Sequence, residues 1–288
     1  MRLTFSLLLV VASLFLCAIT FSVSASQQLV ACQTDECKEY FKAYKILSKR
    51  GHSQAMAVLA EFYYVGYGTD QDTDDALKWY KRAGKYGVLT AKYKAGVIYL
   101  QKGKNHDVNE GVDLLEQVSR RSFSPSALLL GKLYLGGGLV ETDMAKADKY
   151  LSQAYELGNT SAITYASLLY KDNETQNLDL PKLYALVQAD IETKTPEASV
   201  VSSNETIQFP VGEMETISVT NDSFEELFRA QIATLNNTIP DTSKGTGSNI
   251  AGQTCADMWG CSVEGDGLRI RDVLLSDWGL ETLSFRSF

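Results

Sequence analysis

Histidine is scarce in this chain. His52 and His106 are the two in 288 residues, and neither lies near a pair of cysteines, so no zinc constellation has recognisable spacing. Motifs that carry chemistry are missing as well: there is no S-x-x-K, G-x-S-x-G, H-E-x-x-H or Walker loop. Gly245-x-Gly247 lacks a third glycine and a strand-to-helix setting, and Glu264 and Asp266 flank glycines without the twelve-residue loop that calcium would need. His52, directly after Gly51 at a helix exit, reads as a surface or capping histidine. No catalytic residue, cofactor or metal site is therefore assigned, and the expectation is a protein that is not an enzyme.

Basic residues are short in one region. Residues 26–195 hold 21 basic and 21 acidic side chains, whereas residues 196–288 hold 5 basic and 14 acidic. An acidic tail on a neutral body argues against nucleic acid or an anionic membrane as partner. Long apolar runs are confined to Leu7–Ile19, behind Arg2 and ahead of the small-residue pattern Val23-Ser-Ala25. That order predicts a signal peptide over 1–25, too short to span a membrane comfortably. Export to the periplasm or secreted space, with no membrane insertion after cleavage, follows as an expectation. Four cysteines then remain: Cys32, Cys37, Cys255 and Cys261. Three pairings are open; the local ones, 32 with 37 and 255 with 261, are favoured because each closes a short loop.

What is abundant is repetition. Ala55, Ala91, Ala127 and Ala162 recur at steps of 36, 36 and 35, and Leu59-Ala60-x-x-Tyr63 returns as Ala95-Gly96-x-x-Tyr99 and Leu130-Gly131-x-x-Tyr134. Each unit reads as two short helices. In the first, Ala55, Leu59, Ala60 and Tyr63 share one face, and Ala76, Trp79, Tyr80 and Ala83 share another. Gly66 and Gly68 let the first helix stop, Asp70–Asp75 offer N-caps for the second, and Gly87 stands at its end. The third unit keeps the loop as Gly136-Gly-Gly138 and carries Ala147, Tyr150, Leu151 and Ala154. The second is degenerate, with Val112 and Leu115 in place of the alanine and aromatic. A fourth unit, with Ala162, Tyr165, Ala166 and Leu169, lacks loop glycines, as a terminal unit can. Upstream, Glu36–Arg50 reads as the second helix of a unit whose first helix is missing.

These residues resemble the Sel-one-like repeat family, a branch of the tetratricopeptide superfamily, over residues 40–192. The first unit carries the pattern at Ala55, Leu59, Tyr63, Gly66, Gly68, Ala76, Trp79, Tyr80, Lys81, Ala83 and Gly87. The resemblance implies a mainly α fold: a right-handed solenoid of antiparallel helix pairs used as a protein-interaction scaffold. Some secreted relatives with a cysteine pair in every repeat act on β-lactams; the repeats here contain no cysteine, which argues against that activity. The family's geometry places Glu61, Tyr64, Tyr93, Val97, Leu100, Leu128, Lys132, Leu135, Ile163, Ser167 and Tyr170 on a concave groove where a partner would dock. The domain plan is a signal peptide (1–25), a polar lead-in with the first cysteine pair (26–38), the array (39–192), a linker (193–206) and an acidic α+β region with the second cysteine pair (207–288). Within the last, a helix capped by Asn221 or Ser223 carries Phe224, Leu227, Phe228, Ile232 and Leu235; Asp241–Ala251 reads as a mobile loop. Phe224, Leu227 and Phe228 give the tail an apolar face, so the groove has two alternative occupants, a partner or the chain's own tail. The functional expectation is a scaffold for another envelope or secreted protein; the alternatives are a structural subunit of an envelope machine such as a flagellar motor component and, third, an enzyme acting on cell wall or β-lactams.

Overall fold

A computed structural model describes residues 29–176, 178–194 and 223–243. The signal peptide, the linker beyond residue 194, residues 207–222 and the second cysteine pair, Cys255 and Cys261, lie outside the described residues; Thr193 and Lys194, expected in the linker, end the last helix of the array. Within them the chain forms helices α1 (Asp35–Arg50), α2 (Ser53–Val65), α3 (Thr73–Lys85), α4 (Leu89–Leu100), α5 (Val108–Ser119), α6 (Ser124–Gly136), α7 (Met144–Glu156), α8 (Thr160–Gln176), α9 (Pro181–Lys194) and α10 (Phe224–Asn236). None of these is long and apolar enough to cross a membrane. α2 packs on α3, α4 on α5, and α6 on α7, which are the helix pairs of units one to three.

One local device sets the period. Asp72, Asp107 and Asp143 each precede a second helix and accept the backbone N–H three residues on, from Asp75, Glu110 and Lys146 at 2.9, 3.1 and 2.9 Å. Each such cap stabilises its helix by about 1 kcal/mol. The same aspartates donate their own N–H groups to the carbonyls of Tyr63, Tyr99 and Tyr134 at 2.8, 2.9 and 2.9 Å. The repeated tyrosine therefore marks where the second helix is tied back to the first. In unit one the connecting turn relies on Gly66 and Gly68, with φ of +82° and +68°, a region other residues enter only at a cost.

This clip corrects the register of the second unit. Gly111, not Val112, stands four residues after the capping Asp107, as Ala76 does after Asp72 and Ala147 after Asp143. A Cβ on Gly111 would come 3.0 Å from the Gly96 carbonyl, so the two helices of that pair touch through glycine. Leu115 is fully buried as expected, whereas Val112 is half-buried. The fourth unit is present as α8 and α9. The start of α9 is capped by Asp148 of α7, whose carboxylate accepts from the backbone of Lys182 at 3.1 Å and Leu183 at 2.8 Å.

At the front end, the lead-in is less polar and shorter than expected. Leu29 is buried and α1 begins at Asp35, capped by Thr34. Cys32 and Cys37 are disulfide-bonded, with Cα atoms 6.1 Å apart. Cys32 also exchanges backbone hydrogen bonds with Gly66 and Gly68, so the bridge fastens the lead-in to the α2–α3 turn. The core divides at α4. One cluster runs from Leu29 through Ile98 and takes in Leu227 and Phe228 from the tail, and the other runs from Tyr93 to Val187.

Candidate partner-binding surface

The eleven groove positions fall into two groups. Glu61, Tyr93, Val97, Leu100, Leu128 and Leu135 are buried, while Tyr64, Lys132, Ile163, Ser167 and Tyr170 are half-buried. The buried group cannot meet a partner. The reason is geometric: Glu61 and Tyr93 meet Lys94 and Phe123 of the next unit, and Leu100 lies against Gly111 of its own unit's second helix.

Glu61 shows this most plainly. It is 2% exposed on α2, and its Oε2 accepts from Lys94 Nζ of α4 at 2.6 Å and from the Tyr80 hydroxyl of α3. Lys94 and Tyr80 are 1% and 0% exposed, so this is an ion pair inside the core. Burial pushes the Lys94 ammonium below its usual range and the Tyr80 phenol well above its own; the Glu61 charge opposes the first shift and adds to the second. In unit three the position of Glu61 is taken by Lys132, which lies 4.6 Å from the Tyr165 ring centroid of α8 and is held below its usual range by burial.

What remains open along the first helices is a broken row: Tyr64 at the front, Lys132 in the middle, and Ile163, Ser167 and Tyr170 at the back. Tyr64 also lines a cavity of about 430 Å³ between the loops of units one and two, with Gln71, Asp74, Ile98, Gln101 and Asn105. Leu168 on α8 is 54% exposed beside the back of this row.

The tail helix does dock on the array, but not in the groove. Ser223 and Glu226 form a capping box that starts α10, confirming Ser223 over Asn221. Phe228, 1% exposed, enters a box of aromatic rings: Tyr40 and Tyr44 of α1, Phe62 of α2 and Tyr67 beyond it, with centroids 5.0–5.7 Å away. Burying such a ring stabilises by roughly 1.5–3 kcal/mol. The Tyr44 hydroxyl donates to Gln231 Oε1 at 2.6 Å, which satisfies two groups that burial has taken from water. Burial, helped by Tyr40 and Tyr67, raises the Tyr44 phenol well above its usual value, so it acts here as a neutral donor.

Beyond α10, Asp241–Ser243 form a 3-10 turn where a mobile loop was expected. Asp241 Oδ2 accepts from the Ser53 backbone N–H at 2.8 Å and from its hydroxyl at 2.6 Å. This supplies the cap that α2 otherwise lacks, because His52 occupies the N-cap position and its side chain makes no capping bond. His52 is also buried, not superficial, at 3% exposure. Gly51 completes the seat: with φ +106° it turns the chain, and a Cβ there would collide with Thr242. Two signals could have pointed to this site. Among the described residues no first helix precedes α1 to cover Tyr40 and Tyr44, and α2 begins on a poor capping residue. Among the described residues no group of three or more His, Cys, Asp and Glu side chains converges as a metal site.

The Sel1 repeat family matches residues 53–88 and 124–159, which are units one and three. No curated protein matches the chain. Among solved structures it is similar to a Sel1 repeat protein from Oxalobacter formigenes, at 22% identity and a TM-score of 0.43, over 53% of this chain and 65% of that one. It is also similar to a protective antigen present in uropathogenic Escherichia coli strains that displays an SLR fold, at 23% identity and a TM-score of 0.44, over 54% of this chain and 33% of that one. The chain thus spans less than two thirds of the length of either. Units one and three are thus Sel1 repeats, a class of repeat that generally mediates protein–protein interaction.

Proposed function

We propose that this is an exported, non-enzymatic scaffold that holds another envelope or secreted protein against its helical array. The observation that carries the reading is α10: an amphipathic helix, distant in sequence, already sits on the array through aromatic, amide and carboxylate contacts. A surface that accepts one such helix has the chemistry of protein recognition. Export is supported by the apolar leader and by a disulfide that persists in an oxidising compartment.

Site-specific photo-cross-linking in the host tests the binding reading. Probes at Tyr64 and Tyr170 should give a discrete partner band, and a probe at the exposed Lys78 of α3 should not. Equal or absent bands at all three positions would count against it. The mature N-terminus should be Ser26, and turnover of a chromogenic β-lactam or of peptidoglycan by the purified chain would overturn the non-enzymatic part.

A further inference from the structure

Among the described residues no helix precedes α1, and α10 sits beside α1 where the first helix of its unit would pack, but it runs the wrong way. Successive repeat helices are antiparallel, so a first helix of α1's unit would run opposite to α1. Instead Arg229 of α10 meets Tyr40 and Glu36 near the start of α1, and Asn236 meets Arg50 at its end. The two helices are parallel. α10 is therefore not a repeat element that has moved in sequence; it binds the end of the array as a peptide would.

It is also held by one face. Three of its thirteen residues, Leu227, Phe228 and Gln231, are buried, against ten of thirteen in α2. Arg229, Ala233, Thr234 and Asn236 face solvent. Elements with so little buried area open locally at a fraction of the global unfolding free energy.

We propose that the α1/α2 end face is a helix-recognition site for which α10 is the resident, displaceable ligand, and that its ligand class is an amphipathic helix presenting this pattern in trans. The pattern can be read from the contacts. An aromatic side chain fills the box at the position of Phe228, with a second, Phe224, stacked on it one turn earlier. An amide three residues later meets the buried Tyr44 hydroxyl. A carboxylate at the position of Glu225 faces the Tyr67 hydroxyl at 3.4 Å, and one at the position of Asp241 caps α2. The box excludes charge, and the free N-terminus of α2 demands it, so aromatic and acidic positions are both required. The inference rests on the reading of the array as a protein-binding scaffold and adds which surface is read and by what.

The test uses the full mature chain and, as probe, a fluorescein-labelled synthetic peptide of residues 223–243. Phe228→Asp in the chain should vacate the box. A tethered helix competes at an effective concentration of roughly millimolar, so the variant should bind the peptide at least about 20-fold more tightly than the parent does. A peptide that itself carries Phe228→Asp should not bind. Equal binding by parent and variant, or no saturable binding to a variant of unchanged helicity, overturns the proposal. If that variant loses helicity, amide exchange on the unaltered chain decides. Exchange in α10 on the order of 100-fold faster than in α2 supports a detachable ligand, and equal protection makes it an integral part of the fold. Failure of these measurements while the Tyr64 cross-links persist would remove this site and leave the scaffold reading standing.

Discussion

The junction between units one and two and the junction between units three and four use the same position for different chemistry. Glu61 and Lys94, 33 residues apart, form a buried ion pair that also takes the Tyr80 hydroxyl. Lys132 and Tyr165, at the same separation two units on, make a half-exposed cation–π contact. Between them Val97 and Leu129, the corresponding residues of the middle junction, are fully buried and apolar. The repeat therefore conserves where two helices meet and leaves open what they exchange there. A buried charge pair is not intrinsically more stabilising than an apolar one of similar volume, because both ions lose their hydration. What it adds is intolerance: either partner left alone is a charge without water.

That contrast predicts a ranked set of responses. Lys94→Met strands Glu61 in the core and should destabilise by about 3–5 kcal/mol in chemical denaturation, whereas adding Glu61→Leu should recover most of the loss. If the single and double variants are equally unstable, the pair is not the reason. Tyr80→Phe removes one donor from the same carboxylate and should cost about 1–3 kcal/mol, measured in the same way. Lys132→Met should change stability by no more than about 1 kcal/mol, since a half-exposed ammonium gains little from the ring and loses a desolvation cost when removed. A loss there as large as at Lys94 would mean that the two junctions are alike after all.

The smallest effect is on pH, at the front of the array. Burial lowers the His52 imidazole below its ordinary value; the Asp241 carboxylate opposes this and Arg50 adds to it. For a base with a depressed folded pKa, the unfolded chain takes up the proton first. The stability contribution is therefore complete above about pH 6.5 and declines as pH falls from there through the lower folded value. Between pH 7.5 and 5.5 the denaturation midpoint should fall more in the parent than in His52→Asn, and identical slopes would refute the assignment.

Much of the array was legible because it is written in short-range signals. A tyrosine, a pair of glycines and a capping aspartate recur within about a dozen residues, and each acts on backbone close to itself. The register of unit two was misread where those signals thinned: Gly111 carries no side chain to announce a packing position, and the neighbouring Val112 does. The groove was misread for another reason. Whether Val97 or Leu135 faces a partner or the next helix depends on how closely adjacent units approach, which a one-unit pattern does not encode. The tail was half legible: Ser223, Phe224, Leu227 and Phe228 mark a helix and its apolar face, but nothing local to them names the rings they meet.

The order of residues alone determined the helix pairs, their period and their ends, because caps, turns and apolar spacing act over a few residues. Only the tertiary structure decided that Glu61 would need Lys94, that Asp241 would cap a helix begun 188 positions earlier, and that the tail would close the front of the array. Those choices rest on burial, which removes water from groups far apart in sequence and leaves each with the one partner that the packed chain brings within reach.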